Sequence, residues 1–330
     1  MSAEPPAEAA LAPEEGRTSH RRLKPQRRWP HIFLVVVLIF VTGLVADLML
    51  IKARISKVDV VMPSGSPGET WVIVGSDSRA ALPPGLSAEG VGSATDVPSS
   101  RADIVVVIHR TDAGTSMLSI PRDMLLRWGS TGIGRLALSL TRGPQVLVDA
   151  LCDLSIPADH LIIFDFSAFI TLVDLLGGVT VQIDFPTRDV VTGLDIAAAG
   201  SITLTGLQAL ALARSRHPEH LENGVWVGVP DGATQRTSWA GELFSAIRTS
   251  INDRSTDPVL LQRLAWTLSG KVVTDTSTSL FDLLKIVGSS ASVIDLPATA
   301  NPGVLAVSRS AETDKVLAAA GFDRECVAHG

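Results

Sequence analysis

A continuous apolar run near the N-terminus constrains this chain more than any other feature. The residues from Ile32 to Ala46 carry no charge, and Trp29 stands just before them. Extended to Ile51, the segment is interrupted by a single acidic residue. About 20 apolar residues are enough for a helix to cross a bilayer, and aromatic residues favour its ends. The sequence therefore predicts one transmembrane helix over 29–51.

The flanks of this run predict its orientation. Residues 1–28 are rich in Ala, Pro and Glu and then basic, which is typical of a disordered tail. The positive-inside rule places that basic tail in the cytoplasm and everything after the helix outside. We therefore expect a single-pass protein of the cell membrane, with its N-terminus cytoplasmic. A cleaved signal peptide is the alternative, although Leu44-Val45-Ala46 makes a poor small-x-small cleavage site.

The charge balance and motifs of residues 52–330 disfavour several classes of function. Residues 52–330 carry more carboxylates than basic side chains, so we expect no nucleic-acid partner, which would require a basic face. Neither a G-x-S-x-G elbow nor a Gly-rich Walker loop is present, which disfavours a serine hydrolase or a nucleotide-driven enzyme. The segment is long enough for a substantial core.

Four short blocks concentrate arginine and aspartate: GSDSR at 75–79, RAD at 101–103, SIPRD at 119–123 and ARSR at 213–216. Guanidinium groups bind phosphate oxygens in a bidentate manner, and carboxylates hold Mg²⁺ while leaving room for phosphate. Ordinary surface ion pairs explain any one block equally well. Four blocks together favour a site for a phosphate or pyrophosphate and its metal.

Apolar patterns predict an α/β fold in which strands alternate with helices. Strands are expected for WVIVG, DIVVVIH, TSMLSI, LIIFDF and VTVQI. Helices are expected over 141–151, 167–176, 205–216, 236–249, 258–268 and 279–287. Cys152 and Cys326 lie outside the membrane on this topology, where a disulfide can form; two isolated buried thiols are the alternative.

The same blocks resemble the LytR–CpsA–Psr family of membrane-anchored phosphotransferases of bacterial cell-wall assembly. The likeness runs from about Trp71 to about Ala246, in the family's order. The motifs that carry it are WVIVGSDSR, RADIVVVI, SIPRD, FDFSAFITLVDLLGGVTV and LTGLQALALARSR. The resemblance implies a central mixed sheet flanked by helices. It divides the chain into a tail (1–28), a transmembrane helix (29–51), a stalk (52–68), a catalytic domain (69–300) and a C-terminal tail (301–330).

The family's reaction implies a function. A glycopolymer on a polyprenyl-pyrophosphate lipid would be transferred through its sugar phosphate to a hydroxyl of peptidoglycan. The resemblance implies Mg²⁺ (or Mn²⁺) on Asp77 and Asp103, and catalytic roles for Arg122, Arg214 and Arg216. The arginines implied in substrate binding are Arg79, Arg101, Arg122, Arg135, Arg214, Arg216 and Arg236. An apolar pocket for the lipid tail is expected at Phe166, Phe169, Leu172, Val173 and Leu176, where plain core packing is the alternative.

Two departures from the family pattern keep a second function open. Arg135 stands where the family has a Lys, with Ala137 at its Asn. In the family's R-x-x-R-Q-Q block only Arg236 remains, and Trp239 replaces the second Arg. Ala240 and Gly241 replace the two Gln. A non-catalytic protein that binds lipid-linked polymer on the same fold is therefore the alternative to an active transferase.

We predict that the C-terminus lies outside the membrane. A reporter that is active only outside, fused after Gly330, should be active because the basic tail stays in the cytoplasm. Activity of a strictly cytoplasmic reporter at the same position would contradict this topology.

Overall fold

The computed structural model describes residues 29–63, 67–78, 100–230, 232–279, 282 and 291–328, without the side chains of 30, 232–234, 236 and 237. The chain divides into two compact units, Met1–Asp47 and Leu48–Gly330. In the first unit the apolar run is helical, as expected. Helix α1, Trp29–Arg54, contains a stretch with a mean hydropathy of 2.8, which is long and apolar enough to cross a membrane.

The second unit is an α/β structure, which confirms the predicted fold class. Its strands are β1 Ser56–Val58, β2 Glu69–Ser76, β3 Ala102–Thr111, β4 Gly114–Ser119, β5 Leu125–Arg127, β6 Ile133–Arg135, β7 His160–Asp165, β8 Val179–Ile183, β9 Thr187–Asp189, β10 Leu194–Ile196, β11 Gly200–Leu204, β12 Glu219–Glu222, β13 Val225–Gly228, β14 Val272–Asp275, β15 Val293–Asp295, β16 Thr299–Ala300 and β17 Val307–Ser308. Its helices are α2 Leu136–Ser139, α3 Pro144–Cys152, α4 Phe166–Leu175, α5 Gly206–Arg214, α6 Gly232–Asp253, α7 Pro258–Ser269 and α8 Ala311–Ala319.

A mixed sheet forms the centre of this unit. Within the described residues its strand order is β1-β14-β7-β2-β3-β4-β15. The central strand β2 pairs in parallel with β7 and antiparallel with β3. From Thr70 to Ser76 every residue of β2 is buried, because both faces of the sheet are covered. The carboxyl ends of β2 and β7 therefore lie side by side at one edge.

Helices cover both faces of this sheet. One apolar core includes Leu118, Leu147 and Leu161, and a second is built by α4, α5, α6 and α7. Helices α4 and α5 approach closely at Gly206, where an added Cβ would lie 2.5 Å from the carbonyl oxygen of Ile170. Backbone atoms at that distance cannot move aside, so glycine is required there.

A smaller antiparallel sheet, in the order β10-β9-β12-β13, is formed between strands β7 and β14 of the central sheet in the sequence. Its strands β12 and β13 form a hairpin over the segment LENGVWVG. Strand β9 places Asp189 at its end, where the carboxylate is fully buried. This sheet therefore contributes a buried acidic side chain beside helix α5.

Residues after 300 belong to the same compact unit rather than forming a separate tail. Leu317 and Phe322 are buried in the first core, and Cys326 is bonded to Cys152 with a Cα–Cα distance of 5.2 Å. The bridge joins residues separated by 174 positions, a loop for which chain-entropy arguments give up to about 5 kcal/mol of stabilisation.

Several predicted element boundaries were wrong by a few residues. The helix expected over 205–216 ends at Arg214, and Thr205 is its N-cap, in a capping box with Gln208. The helix expected over 279–287 lies almost entirely outside the described residues. The helix expected over 141–151 begins only at Pro144, because a short 3₁₀ turn precedes it.

A buried histidine makes the domain core sensitive to acid. His109 is 2% exposed, its Nδ1 lies 2.9 Å from Thr70 Oγ1, and its ring packs on Phe322 with centroids 4.5 Å apart. Its Nε2 has no hydrogen-bond partner in the described part of the chain. Burial, only partly opposed by the charge of Asp159, lowers the pKa of His109.

We predict that acid destabilises the domain through His109. The folded state resists protonation, whereas the unfolded histidine titrates near its ordinary value of about 6.5. The free energy of unfolding is therefore highest above that pH and falls as pH decreases towards the folded-state pKa, by up to about 1.4 kcal/mol per pH unit. Denaturant unfolding between pH 7.5 and 5.5 measures this slope. His109→Gln should flatten it and His220→Gln should leave it unchanged; equal slopes for wild type and His109→Gln would contradict the assignment.

Candidate functional site

A cavity of about 330 Å³ opens at the carboxyl ends of β2 and β7. It collects charged residues from blocks that are far apart in sequence. Those that line it are Asp77, Arg101, Asp103, Arg122, Asp165, Asp189, Arg214 and Arg216. The carboxyl edge of parallel strands is the usual place for a ligand in an open α/β sheet.

The first two blocks are joined by the ends of neighbouring strands. A register shift between Gly75 and Ser76 ends the regular pairing of β2 with β3. Beyond it, Asp77 N donates to Arg101 O at 3.1 Å, and Arg101 N donates to Asp77 Oδ1 at 2.6 Å. A bulge of this kind redirects side chains at a sheet edge. It brings Asp77 and Asp103 into one cavity.

Arg122 is the most enclosed arginine of the cavity. It is 8% exposed and forms an ion pair with Asp103, and its Nε lies 3.5 Å from Asp123 Oδ2. Its carbonyl oxygen accepts a hydrogen bond from Ala137 N at 2.8 Å. Nε itself has no hydrogen-bond partner in the described structure, so Arg122 retains a buried donor beside the cavity.

Arg135 lies one step further from the cavity. Its Nη1 is 3.2 Å from Asp123 Oδ1 and 3.4 Å from Leu305 O, and it does not line the cavity. It is thus linked to Arg122 only through Asp123. Its predicted contact with substrate does not follow from this arrangement, because its guanidinium is turned to Asp123.

Arg214 and Arg216 share the cavity because helix α5 ends between them. On a continuous helix, residues two apart lie on different faces. The helix stops at Arg214, and Ser215 is extended with φ −61° and ψ 125°. The next residues can therefore turn back, and both guanidinium groups line one cavity.

The buried carboxylate of Asp189 holds this turn. Asp189 Oδ2 accepts hydrogen bonds from Ser215 Oγ at 2.6 Å and from the backbone N–H groups of Arg216 and His217, each at 3.0 Å. Burial alone would raise the pKa of Asp189, but these bonds outweigh it and lower the pKa. Sequence reasoning missed Asp189, because the mixed polar and apolar segment around it, DFPTRDVV, has no pattern that marks the residue as buried.

Positive charges crowd one side of the cavity. Although Arg216 is solvent-exposed, partial loss of hydration and then the charge of Arg101 lower its pKa. Within the described ranges neither Arg101 nor Arg216 forms an ion pair through its side chain. Two like charges held together without a counter-charge form a site that favours an anion.

An apolar cavity of about 280 Å³ adjoins the charged one. The two share Ile104, Phe164, Phe169 and Ala213 along their boundary. Phe166 lies at the charged end, with the guanidinium of Arg214 5.1 Å from its ring centroid. A ligand with an anionic head and an apolar tail would match this arrangement.

The predicted tail-pocket residues divide between cavity and core. Phe169 lines both cavities, Phe166 the charged one and Leu172 the apolar one. Val173 and Leu176 line neither cavity and are fully buried in the second core. Instead, the far wall of the apolar cavity comes from α6 and α7, through Leu243, Phe244, Ile247, Ile251 and Leu268.

Some predicted residues cannot be placed. Arg79 and the side chain of Arg236 lie outside the described structure. Trp239, at the position of the family's second Arg, is 5% exposed and packs in the second core. Ala240 lines the apolar cavity, so this part of α6 presents an apolar surface rather than a cation or an amide.

The two predicted metal ligands suit a small hard cation. Asp77 and Asp103 both line the charged cavity; Asp77 Oδ1 accepts from Arg101 N, and Asp103 Oδ1 pairs with Arg122. Mg²⁺ is commonly held by one or two carboxylates together with water and substrate phosphate. The residues present therefore fit Mg²⁺ in the company of a phosphate.

Comparisons with known proteins agree with this architecture. The chain is 31% identical over 187 residues to the "Probable cell wall biosynthesis protein LcpB" of Corynebacterium glutamicum, which covers 55% of this chain and 44% of that protein. It is 31% identical over 150 residues to the polyisoprenyl-teichoic acid–peptidoglycan teichoic acid transferase TagT of Bacillus subtilis, over 43% of this chain and 47% of TagT. The chain thus spans about half the length of the curated relatives it matches.

A solved structure and a family model extend the comparison. The LytR-Csp2A-Psr enzyme from Actinomyces oris superposes with a TM-score of 0.70 at 34% identity, over 83% of this chain and 99% of that one. The family model described as the LytR_cpsA_psr family matches residues 50–288, which include all the described charged residues of the cavity. The chain belongs to the LytR–CpsA–Psr family.

Proposed function

We propose that this protein transfers a glycopolymer, through its sugar phosphate, from a polyprenyl-pyrophosphate lipid to a hydroxyl of peptidoglycan. The observation that carries the proposal is one charged cavity, lined by four arginines and four aspartates, that adjoins an apolar cavity. TagT, named as a transferase from polyisoprenyl-linked teichoic acid to peptidoglycan, has related sequence here. The polymer itself, whether teichoic acid, capsule or arabinogalactan, is not part of the proposal.

The arginines would act on the pyrophosphate. Phosphoryl transfer is mostly positioning and stabilisation of charge. Arg122, fixed by Asp103 and by Ala137 N, would hold the reacting phosphate rigidly. Arg214 and Arg216, both cavity-lining, would stabilise the negative charge that develops on the lipid phosphate as it leaves. The acceptor oxygen forms a bond to the sugar phosphate while the bridging oxygen departs with the lipid.

Asp77 and Asp103 would hold Mg²⁺, or Mn²⁺ in its place. When bound, the ion would offset phosphate charge in the transition state. The carboxylates are positioned for this role by the bulge at the end of β2 and by the ion pair with Arg122. Asp189, in contrast, uses its carboxylate to hold the Arg214–Arg216 turn and is assigned no metal.

The apolar cavity would receive the first part of the lipid tail. It starts at Phe169, beside the charged cavity, and extends between α4, α6 and α7. Burial of apolar surface contributes about 25 cal/mol per Å², so even a few isoprene units would add substantially to binding. The same geometry would place the membrane lipid's pyrophosphate against the arginines.

A second function is favoured by one observation, the replacement of the R-Q-Q positions. Trp239 is buried and Ala240 is apolar, so α6 contributes neither a cation nor an amide there. A protein with this loss could bind lipid-linked polymer without transferring it. A turnover assay of the full chain in detergent, with polyprenyl pyrophosphate-linked sugar, Mg²⁺ and peptidoglycan fragments, separates the two: binding without product would favour the alternative.

We predict that Arg122 recognises phosphate through its planar fork. Arg122→Ala should weaken pyrophosphate binding by more than the roughly 0–1 kcal/mol of a surface ion pair. Arg122→Lys should restore only part of the loss, because a point charge lacks two parallel donors. Titration calorimetry with the lipid pyrophosphate measures both variants.

Two further variants distinguish a loss of binding from a loss of folding. Arg122→Ala leaves the half-buried Asp103 without its partner, so loss of folding could mimic loss of binding. Arg214→Ala removes a cavity arginine whose side chain is only half-buried, and it should weaken binding as well. Arg127→Ala, an exposed arginine outside the cavity, is the matched control. Full rescue by lysine would argue against bidentate recognition.

We predict that removal of one carboxylate reduces metal-dependent turnover. Asp103→Asn should lower the rate at saturating Mg²⁺ at least about a hundredfold, since charge stabilisation by a metal contributes several kcal/mol. Asp112→Asn, at the exposed turn between β3 and β4, is the control. Near-normal Mg²⁺-dependent turnover in Asp103→Asn would show that Asp103 is not a ligand.

A further inference from the structure

A second cluster of ligating side chains lies at the opposite edge of the central sheet. Strand β2 begins at Glu69 and β7 begins at His160, whereas their other ends, Ser76 and Asp165, line the charged cavity. At about 3.3 Å per residue, this places the cluster roughly 20 Å from that cavity. Asp282 completes it: one ligand atom of each of the three residues lies within 4.8 Å of the others.

We propose that Glu69, His160 and Asp282 bind one Zn²⁺ ion. His160 Nε2 lies 3.1 Å from Glu69 Oε1. Two ligands about 2.1 Å from a tetrahedral zinc are about 3.4 Å apart, so the pair is already near the required spacing. One imidazole and two carboxylates leave the fourth position of a tetrahedral ion to water.

The hydrogen bonds behind His160 direct a lone pair into the cluster. Thr278 Oγ1 donates its only proton to the buried carboxylate of Asp275. His160 Nδ1 lies 2.8 Å from the same oxygen, which can then only accept from it. This pattern assigns the ring proton to Nδ1. In the neutral ring, Nε2 therefore presents its lone pair to the carboxylate of Glu69, and two acceptors face each other.

A cation between these two acceptors resolves the conflict. Histidine ligands of metals usually donate their other ring N–H to a hydrogen-bonded acceptor that fixes the ring orientation. Here that acceptor is Thr278, itself fixed by Asp275, whose carboxylate also accepts from Leu161 N at 2.9 Å and Thr278 N at 2.9 Å. The supporting shell is thus built from groups outside the cluster.

The ammonium group of the neighbouring Lys57 bonds to atoms outside the cluster. Its ammonium group has three N–H donors. They bond to Thr274 Oγ1 and Asp275 O, each at 2.9 Å, and to Thr278 O. Asp282 interacts electrostatically with Lys57, but the three N–H donors of Lys57 already bond to other groups, so none of them donates to the Asp282 carboxylate. Asp282 Oδ2 accepts instead from Ser279 N at 2.9 Å and Ser279 Oγ at 2.6 Å, which position it.

The choice of zinc follows from the donor set. An imidazole favours late first-row metals over Mg²⁺ and Ca²⁺, which prefer sites made only of oxygen. Another charge is close by, since Asp159 interacts electrostatically with both Glu69 and His160. Three carboxylates around one imidazole would be partly neutralised by a divalent ion.

Zinc counting on the full-length protein in detergent tests the site. After chelator treatment, the protein is dialysed against Zn²⁺ and the bound metal is measured by elemental analysis. His160→Gln and Glu69→Gln should each weaken the tight zinc at least about tenfold, and Thr278→Val should weaken it by about 10–100-fold through the ring orientation. His220→Gln, which leaves the cluster intact, should bind as wild type. Asp103→Asn isolates any zinc held in the charged cavity.

A fluorescence readout covers variants that do not fold. The ring of Trp71 stacks on His160, with centroids 5.4 Å apart and planes at 21°. Co²⁺ bound at Nε2 should quench Trp71 emission in the wild-type protein, Zn²⁺ should reverse the quenching, and Trp71→Phe should remove it. The proposal is overturned if zinc binding survives His160→Gln, if zinc is lost only in Asp103→Asn, if the site prefers Ca²⁺, or if no saturable quenching is seen. Any of these results would leave only a His160–Glu69 ion pair.

Discussion

Repulsion between guanidinium groups is the constraint around which the charged cavity is built. Partial loss of hydration and then the nearby charge of Arg101 lower the pKa of Arg216, and neither arginine forms a side-chain ion pair in the described structure. Backbone hydrogen bonds fix where these two side chains begin: Arg101 N donates to Asp77, and Arg216 N donates to Asp189. Two positive charges at this spacing favour an anion before any ligand binds.

Much of this could be predicted from sequence, and the parts that could not have physical reasons. The strand boundaries near Asp77 and Asp103 were predictable because apolar runs mark buried strands, and GSDSR directly follows one run while RAD directly precedes the next. The shared position of Arg214 and Arg216 was not. Continuing the helix to Arg216 placed them on different faces, whereas a distant carboxylate, Asp189, ends the helix two residues earlier. The spacing of apolar residues predicts where a helix forms locally, but it does not reveal a hydrogen bond from a residue that is distant in sequence.

The predicted pocket for the lipid tail could likewise be predicted only in part from sequence. Phe169, Leu172, Val173 and Leu176 form one apolar pattern, and sequence cannot tell which of them face a cavity and which fill the core. The division depends on α6 and α7, whose apolar side chains form the far wall. Likewise, the C-terminal residues look like a tail in sequence. They pack into the domain because Leu317 and Phe322 complete the first core and Cys326 is bonded to Cys152.

The replacement of the R-Q-Q positions has a structural consequence on α6. A buried Trp239 adds apolar surface to the core that supports α4 and α5, the helices that carry Phe169 and Arg214. Large aromatic side chains dominate core energetics, so this residue stabilises the frame behind the arginines. At this position α6 therefore contributes packing rather than charge. The arginines that line the charged cavity in the described structure are Arg101, Arg122, Arg214 and Arg216.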